Sequence, residues 1–368
     1  MSIEDVCIAG GGPAGLGAAL ALRQRGFRVT VVDCAVPPID KACGEGLMPD
    51  SLAALRRLGV ELDVNAGYPF RGIRFIDGAS TVTGHFPNGS GLGMRRTYLH
   101  EVLVRHAESA GVRLIWGAKS VRLGDGGLSV NGSLLRARTV VAADGQKSAI
   151  RHSAGLDPIK SERRRYGFRT HYRIAPWSEY VELYWGPQGQ VYVTPVAAHE
   201  VCVAFISRNS KLRLSEALND FPALQQRLAG AEQGSHEMGA MSISRQLKRV
   251  HKDGLALLGD ASGSVDAITG EGMCLAFKQA DALAGALRAG DLREYGERHR
   301  EIGKKPRMMA SLMLSMEWHS ELQRRALASL AKRPELFESL LKFHVGERPV
   351  LGPLAREVFG FGLDFIRV

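Results

Sequence analysis

The chain has 368 residues, 45% of them hydrophobic, and a formal net charge of +10, so it can bury a large core in two domains or one elaborated one. No run approaches the roughly 18 uncharged apolar residues of a membrane span, and Glu4 and Asp5 stand where a leader would be basic, so a cytoplasmic protein is expected, with peripheral membrane contact left open. Five cysteines without a CxxC pair fit neither a zinc site nor a disulfide framework, and dispersed arginines without interleaved aromatics argue against a nucleic-acid partner.

In chain order, "DVCIAGGGPAGLGAALALRQRGFRVTVVD" predicts a strand at Val6 to Ala9, a helix from Pro13 to about Arg25 and a second strand at Val29 to Val32 closed by Asp33. Gly10, Gly12 and Gly15 fit G-x-G-x-x-G: the first permits the tight turn, the second lets backbone approach a pyrophosphate, and the third lets helix pack on strand. Pro13 and Ala14 open the helix, whose N-terminus faces the phosphates, and Asp33 lies where a carboxylate can accept ribose hydroxyls. This is a dinucleotide-binding unit.

Next comes "KACGEGLMP", with Cys43 and Gly44 in a glycine-rich turn, and then a short strand pair in "FRGIRFIDGASTVTGHFP". Arg95 and Arg96 start a helix in "RRTYLHEVLVRHAESAGV". "TVVAADGQKSAIR" is a strand ending in Asp144-Gly145, followed by a Ser and an Arg at helix-start spacing. Arg163 to Arg165 form a basic cluster that suits a 2'-phosphate, an acidic carrier protein or a solvated loop. Three strand-like runs follow at about 180–185, 190–196 and 200–206. "GLALLGDASGSVDAITGEGMCLAFKQADALAGAL" delivers Gly259-Asp260 at a strand end and opens a long helix near Gly272. Beyond about residue 300 the chain turns helical, with Met and Leu clusters that suit a greasy tunnel, a membrane surface or plain helix packing.

The three motifs, in this order and spread over nearly the whole chain, resemble the flavoprotein monooxygenases of the aromatic-hydroxylase type and their relatives the geranylgeranyl reductases. The resemblance implies FAD as cofactor and NAD(P)H as electron donor. Gly10, Gly12, Gly15 and Asp33 would then hold the ADP half. Asp144 and Gly145 would lie near the pyrophosphate and nicotinamide path, Arg95 or Arg96 at the flavin side of the pyrophosphate, and Asp260, after Gly259, on the ribityl chain. The helix beginning at Gly270, Gly272 and Met273 would aim its N–H groups at the isoalloxazine N1–C2=O edge, where negative charge collects on reduction. Asp266, Thr269 and Glu271 are polar groups expected nearby, while Ala267 replaces a proline that many relatives carry.

The implied fold class is α/β with α+β insertions: a Rossmann-like FAD-binding domain with a parallel sheet, an inserted antiparallel substrate sheet and C-terminal helices. The expected boundaries are 1–65, 95–160 and 246–300 for the discontinuous FAD domain, 66–94 and 161–245 for the substrate sheet, and 301–368 for the helical segment. The Cys43 loop resembles the Cys-Gly-Gly loop of the geranylgeranyl reductases and the Gly-Glu-x-x-x-Pro loop of flavin halogenases. Its thiol can pack beside the ring, tune it or act as a redox group. The halogenase Trp-x-Trp-x-Ile-Pro motif is missing, and no lysine lies between Lys41 and Lys119. The reductases' Tyr-x-Trp-x-Phe-Pro strand is altered too: Tyr192 stands for Trp and Thr194 for Phe, before Pro195.

Two activities follow from the resemblance. The first is an O2-dependent hydroxylation of an aromatic or polyketide-like molecule of the secondary-metabolism kind, with His171, Tyr184, Tyr192 and His85 as candidates for the base a phenol would need, while the weak catalytic candidate Cys43 and its loop favour the second activity. The second is reduction of C=C bonds in a prenyl or lipid chain. No metal site is expected, and the small-molecule substrate is apolar or aromatic.

Overall fold

The N-terminal β-α-β unit folds as its pattern predicts: strand Glu4–Ala9, helix Pro13–Gln24 and strand Val29–Val32. Val6 to Ala9 and Val29 to Val32 are buried throughout, because a parallel strand is covered on both faces and cannot alternate. We describe residues 3–346 in the computed structural model, apart from 79, 158 and 319. The expected helical segment therefore falls partly outside the described residues, at 347–368.

In the first sheet the order runs His251–Lys252, Leu255–Leu257, Ser133–Ala142, Glu4–Ala9, Val29–Val32, Arg113–Ile115, with the last five strands mutually parallel. The strands carrying the glycine turn, Asp144-Gly145 and Gly259-Asp260 are thus neighbours. Their C-terminal ends lie side by side, where open α/β sheets bind ligands.

The second sheet is antiparallel apart from one parallel pair, Gly72–Ile76 with Tyr180–Gly186. It includes the expected strands as Tyr180–Gly186, Gly189–Ala197 and Glu200–Ser207, and the pair Gly72–Ile76 and Thr81–His85. Its two long partners, Ile159–Arg173 and Met238–Leu247, have no strong alternation in sequence. The Arg163 to Arg165 cluster therefore lies in a strand, not in a solvated loop. Arg165 is 2% exposed and bonds Asp266 Oδ1 at 3.0 Å, Gln190, the Ile206 carbonyl and Glu317. Buried charge is tolerated there because it is paired on several sides.

Period-two alternation gives the second sheet two different faces. Val191, Val193, Val201 and Val203 pack under the helices Leu214–Ala217 and Pro222–Leu228. On the other face, Leu183 and Trp185 meet Ala310, Met313, Leu314, Leu330 and Phe337 of the C-terminal helices Lys304–Trp318, Ser320–Lys332 and Pro334–His344. Gly84 makes that contact close: a β-carbon there would stand 2.7 Å from the Phe337 ring. A third small sheet, Gly46–Leu47, Gly91–Gly93 and Tyr68–Phe70, packs the Cys43 loop against the strand Gly189–Ala197 of the second sheet, where a β-carbon on Gly93 would strike the Pro195 carbonyl. Among the described residues no helix is long and apolar enough to cross a membrane.

Candidate functional site

Between the two large sheets lies one cavity of about 1170 Å³, above the roughly 300–1,000 Å³ usual for a single small-molecule site. Its lining includes Gly10, Gly12, Pro13, Ala14, Asp33, Cys43, Gly44, Arg96, Asp144, Gly145, Gly259, Asp260, Gly270, Gly272 and Met273. Residues up to 263 positions apart in sequence are thereby brought to one wall. Two expected residues stand back from it. Gly15 packs helix against turn, with no space for a β-carbon beside the Gly10 carbonyl, and Arg95 turns away to pair with Glu200 at 2.8 Å.

The glycine turn is fixed from behind. Gly10 has φ of 109°, and a side chain on it would strike the Ala143 carbonyl. Asp33 receives the Gly11 and Ala35 N–H groups at 2.6 and 2.7 Å. Buried His100 bonds the Gly11 carbonyl at 2.8 Å, so its Nε2 carries the hydrogen, and Trp116 fills the space above Gly11. Burial lowers the His100 pKa and keeps the ring neutral. Neither His100 nor Trp116 was among the sequence candidates; each acts through a backbone atom and leaves no motif.

The other two motifs are tied together by the arginine that ends the second. Ser148 caps the helix Ala149–Ser153, and buried Arg151 bonds the Ala261 and Gln146 carbonyls at 3.2 and 3.1 Å, clamping the Asp144 loop to the Asp260 loop. Lys41 reaches across to Asp260 at 2.9 Å.

The cavity's polar half fits a flavin dinucleotide. A β-carbon on Gly12, Gly44, Gly145, Gly270 or Gly272 would have nothing within 4 Å, so bare backbone borders open space at five places. Asp144 Oδ1 and Arg96 Nε are buried there without a hydrogen-bond partner, an acceptor and a donor of the kind a sugar and a phosphate satisfy. Helix Gly272–Ala289 begins with no side-chain cap and no acid in its first turn, leaving its N–H groups and positive dipole end available to an anion.

The Cys43 loop rests on a buried network. Glu45, with φ of 59°, accepts the Arg96 N–H at 2.9 Å and His171 Nε2 at 2.6 Å. Arg169 donates to His171 Nδ1 at 3.2 Å, which leaves Nε2 as the hydrogen-bearing nitrogen. Glu45, His171 and Cys202 bring ligand atoms within 4.8 Å of one another. The Arg169 cation bonded to His171 makes this pocket suit a carboxylate better than a metal ion. Cys43 itself lines the cavity, its sulfur 3.4 Å from the Glu45 N–H.

The remaining catalytic candidates are occupied. His171 is held by Glu45, Arg169 and Ser235. Tyr184 donates to Glu182, and His85 pairs with Glu338 and Tyr180 away from the cavity lining. Tyr192 lines the cavity, but its hydroxyl donates to the Ile268 carbonyl at 2.9 Å and burial raises its pKa.

The far half of the cavity is apolar. Phe70, Ile73, Phe75, Val181 and Leu183 wall it on the sheet side, and Met313, Met316, Leu336, Phe337, Leu340 and Leu341 on the helix side. The Met-rich helices thus both pack on the sheet and line a chamber, while Met308 and Leu312 are exposed.

A family model described as "FAD binding domain" matches residues 4–299. The chain is 27% identical over 323 residues to "Menaquinone reductase" of Mycobacterium tuberculosis H37Rv, covering 79% of each chain. It is 26% identical to "Putative FAD-dependent monooxygenase YetM" of Bacillus subtilis, covering 77% of this chain and 85% of that one. To "Digeranylgeranylglycerophospholipid reductase 2" of Methanopyrus kandleri it is 26% identical over 94% of each. A solved "geranylgeranyl bacteriochlorophyll reductase-like" protein of Thermoplasma acidophilum shares the fold, with a TM-score of 0.75 at 18% identity, over 100% of this chain and 98% of that one.

Proposed function

The chain belongs to the FAD binding domain family and is a flavoprotein oxidoreductase, and on that premise we propose that it reduces C=C bonds in a prenyl or lipid chain. The observation that carries this reading is the apolar chamber continuing directly from the glycine-lined half of the cavity. Its Leu, Met and Phe walls bury an unbranched or isoprenoid chain at roughly 25 cal/mol per Å², and they offer few polar groups to orient a phenol.

Bound in the polar half and reduced by NAD(P)H, FAD supplies a hydride equivalent. The residues of this chain do the rest. The bare backbone at Gly44 and the Gly270–Gly272 turn lets a flat ring lie close, while the helix N-terminus favours the charge of the reduced ring. The apolar walls align an alkene against it and exclude water.

Hydroxylation of an aromatic molecule by O2 is the second reading, supported by the similarity to YetM. A phenolic substrate would need a base, and Tyr192 is the named candidate whose side chain borders the chamber. Tyr192→Phe tests this: it removes only the hydrogen bond to Ile268, so we expect a stability loss of about 1 kcal/mol and less than about three-fold change in kcat. A drop of about 100-fold or more would mark a general base.

The substrate class is tested with a prenyl alcohol series from geraniol to geranylgeraniol, under anaerobic turnover with NADPH and product mass spectrometry. The expected product gains H2, and KM falls by about ten-fold or more per added isoprene unit until the chamber is full. Equal KM values along the series, with no saturated product, would refute the reading.

A further inference from the structure

Two buried side chains meet where the cavity's polar and apolar halves join, one on its wall and one behind it. Glu271 stands at the residue before the helix Gly272–Ala289 without its side chain capping it, and His344 ends the helix Pro334–His344 and lines the cavity beside Leu341. They are 3% and 8% exposed.

Their hydrogen positions follow from their neighbours. His344 Nε2 lies 3.2 Å from the Thr269 carbonyl, and a carbonyl only accepts, so Nε2 carries the hydrogen. Nδ1 then presents its lone pair, 3.6 Å from Glu271 Oε2. Both of these atoms are buried without a hydrogen-bond partner. A carboxylate would set two acceptors against each other, whereas a neutral carboxyl supplies the proton between them.

The charges around the pair agree. Asp50, from the helix Pro49–Arg57, holds Lys278 at 2.6 Å and Cys274 at 3.0 Å; Lys278 and Cys274 stand on Glu271's own helix, and Lys305 faces it from the helix Lys304–Trp318. Burial, and then the Asp50 charge, push the Glu271 carboxyl up to about 8 against the pull of Lys278 and Lys305. Burial lowers His344. Both shifts favour the uncharged forms, which sets the proton of the Glu271 carboxyl opposite the free Nδ1 lone pair of His344.

We propose that Glu271 and His344 are the proton source for C=C reduction, with His344 the group that meets the substrate and Glu271 its reservoir. This rests on the reductase reading above. In the step, one alkene carbon takes the hydride equivalent and the electron pair of the π bond takes the Nε2 proton of His344. Glu271 passes its proton to Nδ1 in the same motion, so the ring stays neutral and the carboxylate is left. The substrate gains two electrons and two hydrogens, and the cofactor is oxidised. Glu271 would recover its proton from solvent on the side of Asp50 and Lys278, whose side chains are 11% and 28% exposed. The separation of 3.6 Å is a few tenths of an ångström beyond hydrogen-bond reach, so the step requires it to close as a bound chain displaces the Thr269 contact. Tyr192, also on the chamber wall, has already committed its hydrogen to Ile268.

The test uses the holoenzyme reduced with dithionite and mixed anaerobically with geranylgeraniol. Wild-type reoxidation should hold constant with pH and fall above about 8. Glu271→Gln, isosteric with the neutral acid, should slow it about 100-fold and abolish the break. His344→Gln should do the same, and the double variant should be no slower than the slower single one. A second readout needs no turnover. Because the folded pKa of Glu271 is raised, its contribution to stability is complete below the unfolded value of 4.5 and is lost as pH rises through about 8. His344 is lowered, so its opposing slope ends at the unfolded value of 6.5. Between pH 6.5 and 8 the wild type should therefore lose stability with pH while Glu271→Gln loses less. A Glu271→Gln variant with the wild-type rate and break, or Cys43→Ala alone abolishing the rate, would overturn the proposal, as would equal stability slopes. Should the wild type fail to reoxidise with geranylgeraniol, the reductase reading falls and the slopes still decide whether the pair shares a proton.

Discussion

Gly12→Asp should give a folded, colourless protein. Gly12 has φ of −71° and ψ of 179°, which any L-residue adopts, and a β-carbon there meets nothing within 4 Å. The apo-chain should keep its stability to within about 0.5 kcal/mol. The new carboxylate would stand at the N-terminus of the helix Pro13–Gln24, where the reading places the FAD pyrophosphate. Like charges in contact cost several kcal/mol, and about 4 kcal/mol weakens FAD roughly 1,000-fold. Flavin fluorescence titration against thermal unfolding checks both halves. Gly15→Ala is the contrast, since a β-carbon there would strike the Gly10 carbonyl and damage the fold itself.

Glu45→Ala should have the largest effect on stability, about 3–5 kcal/mol, because it leaves the buried His171 Nε2–H and the Arg96 N–H without their charged acceptor, while Arg169 keeps its ion pair with Asp40 at 2.6 Å. It should also free the Cys43 loop, so FAD is lost along with stability. Glu45→Gln keeps an acceptor and should cost about 1–2 kcal/mol. Denaturant unfolding of the two variants separates these outcomes. Equal stability of wild type and Glu45→Ala would mean that the network carries no load.

Much of this site was legible in the sequence, because the residues that border the cavity through backbone are glycines. Gly10, Gly145 and Gly270 have positive φ, Gly12 and Gly272 leave open space where the cofactor is proposed to approach, and Asp144 and Asp260 follow strand ends. Such requirements are local and leave spaced motifs. The strands with alternating apolar residues were equally readable. What supports the site was not. Arg151 and Glu45 lie within spaced motifs, but their partners Ala261 and His171 do not follow from those motifs; His100, Trp116 and Arg169 act on atoms brought near by the fold from distant segments, and their roles depend on tertiary contact alone. The Arg163 to Arg165 run shows the limit from the other side: a basic triplet looks solvated until the strand Ile159–Arg173 turns Arg165 inward against Asp266. His344 carries no motif either, since its role depends on the end of the last described helix meeting the start of the helix at Gly272.

The two activities differ in where the electrons of the reduced cofactor go, so the most direct measurement is a stopped-flow comparison of one reduced preparation mixed either with geranylgeraniol in the absence of oxygen or with a phenol panel in oxygenated buffer. Flavin absorbance should return in the anaerobic mixture at a rate set by the prenyl alcohol, and phenols should leave oxygen consumption unchanged. Reoxidation by oxygen alone, accelerated by a phenol that emerges hydroxylated, would contradict the reductase reading.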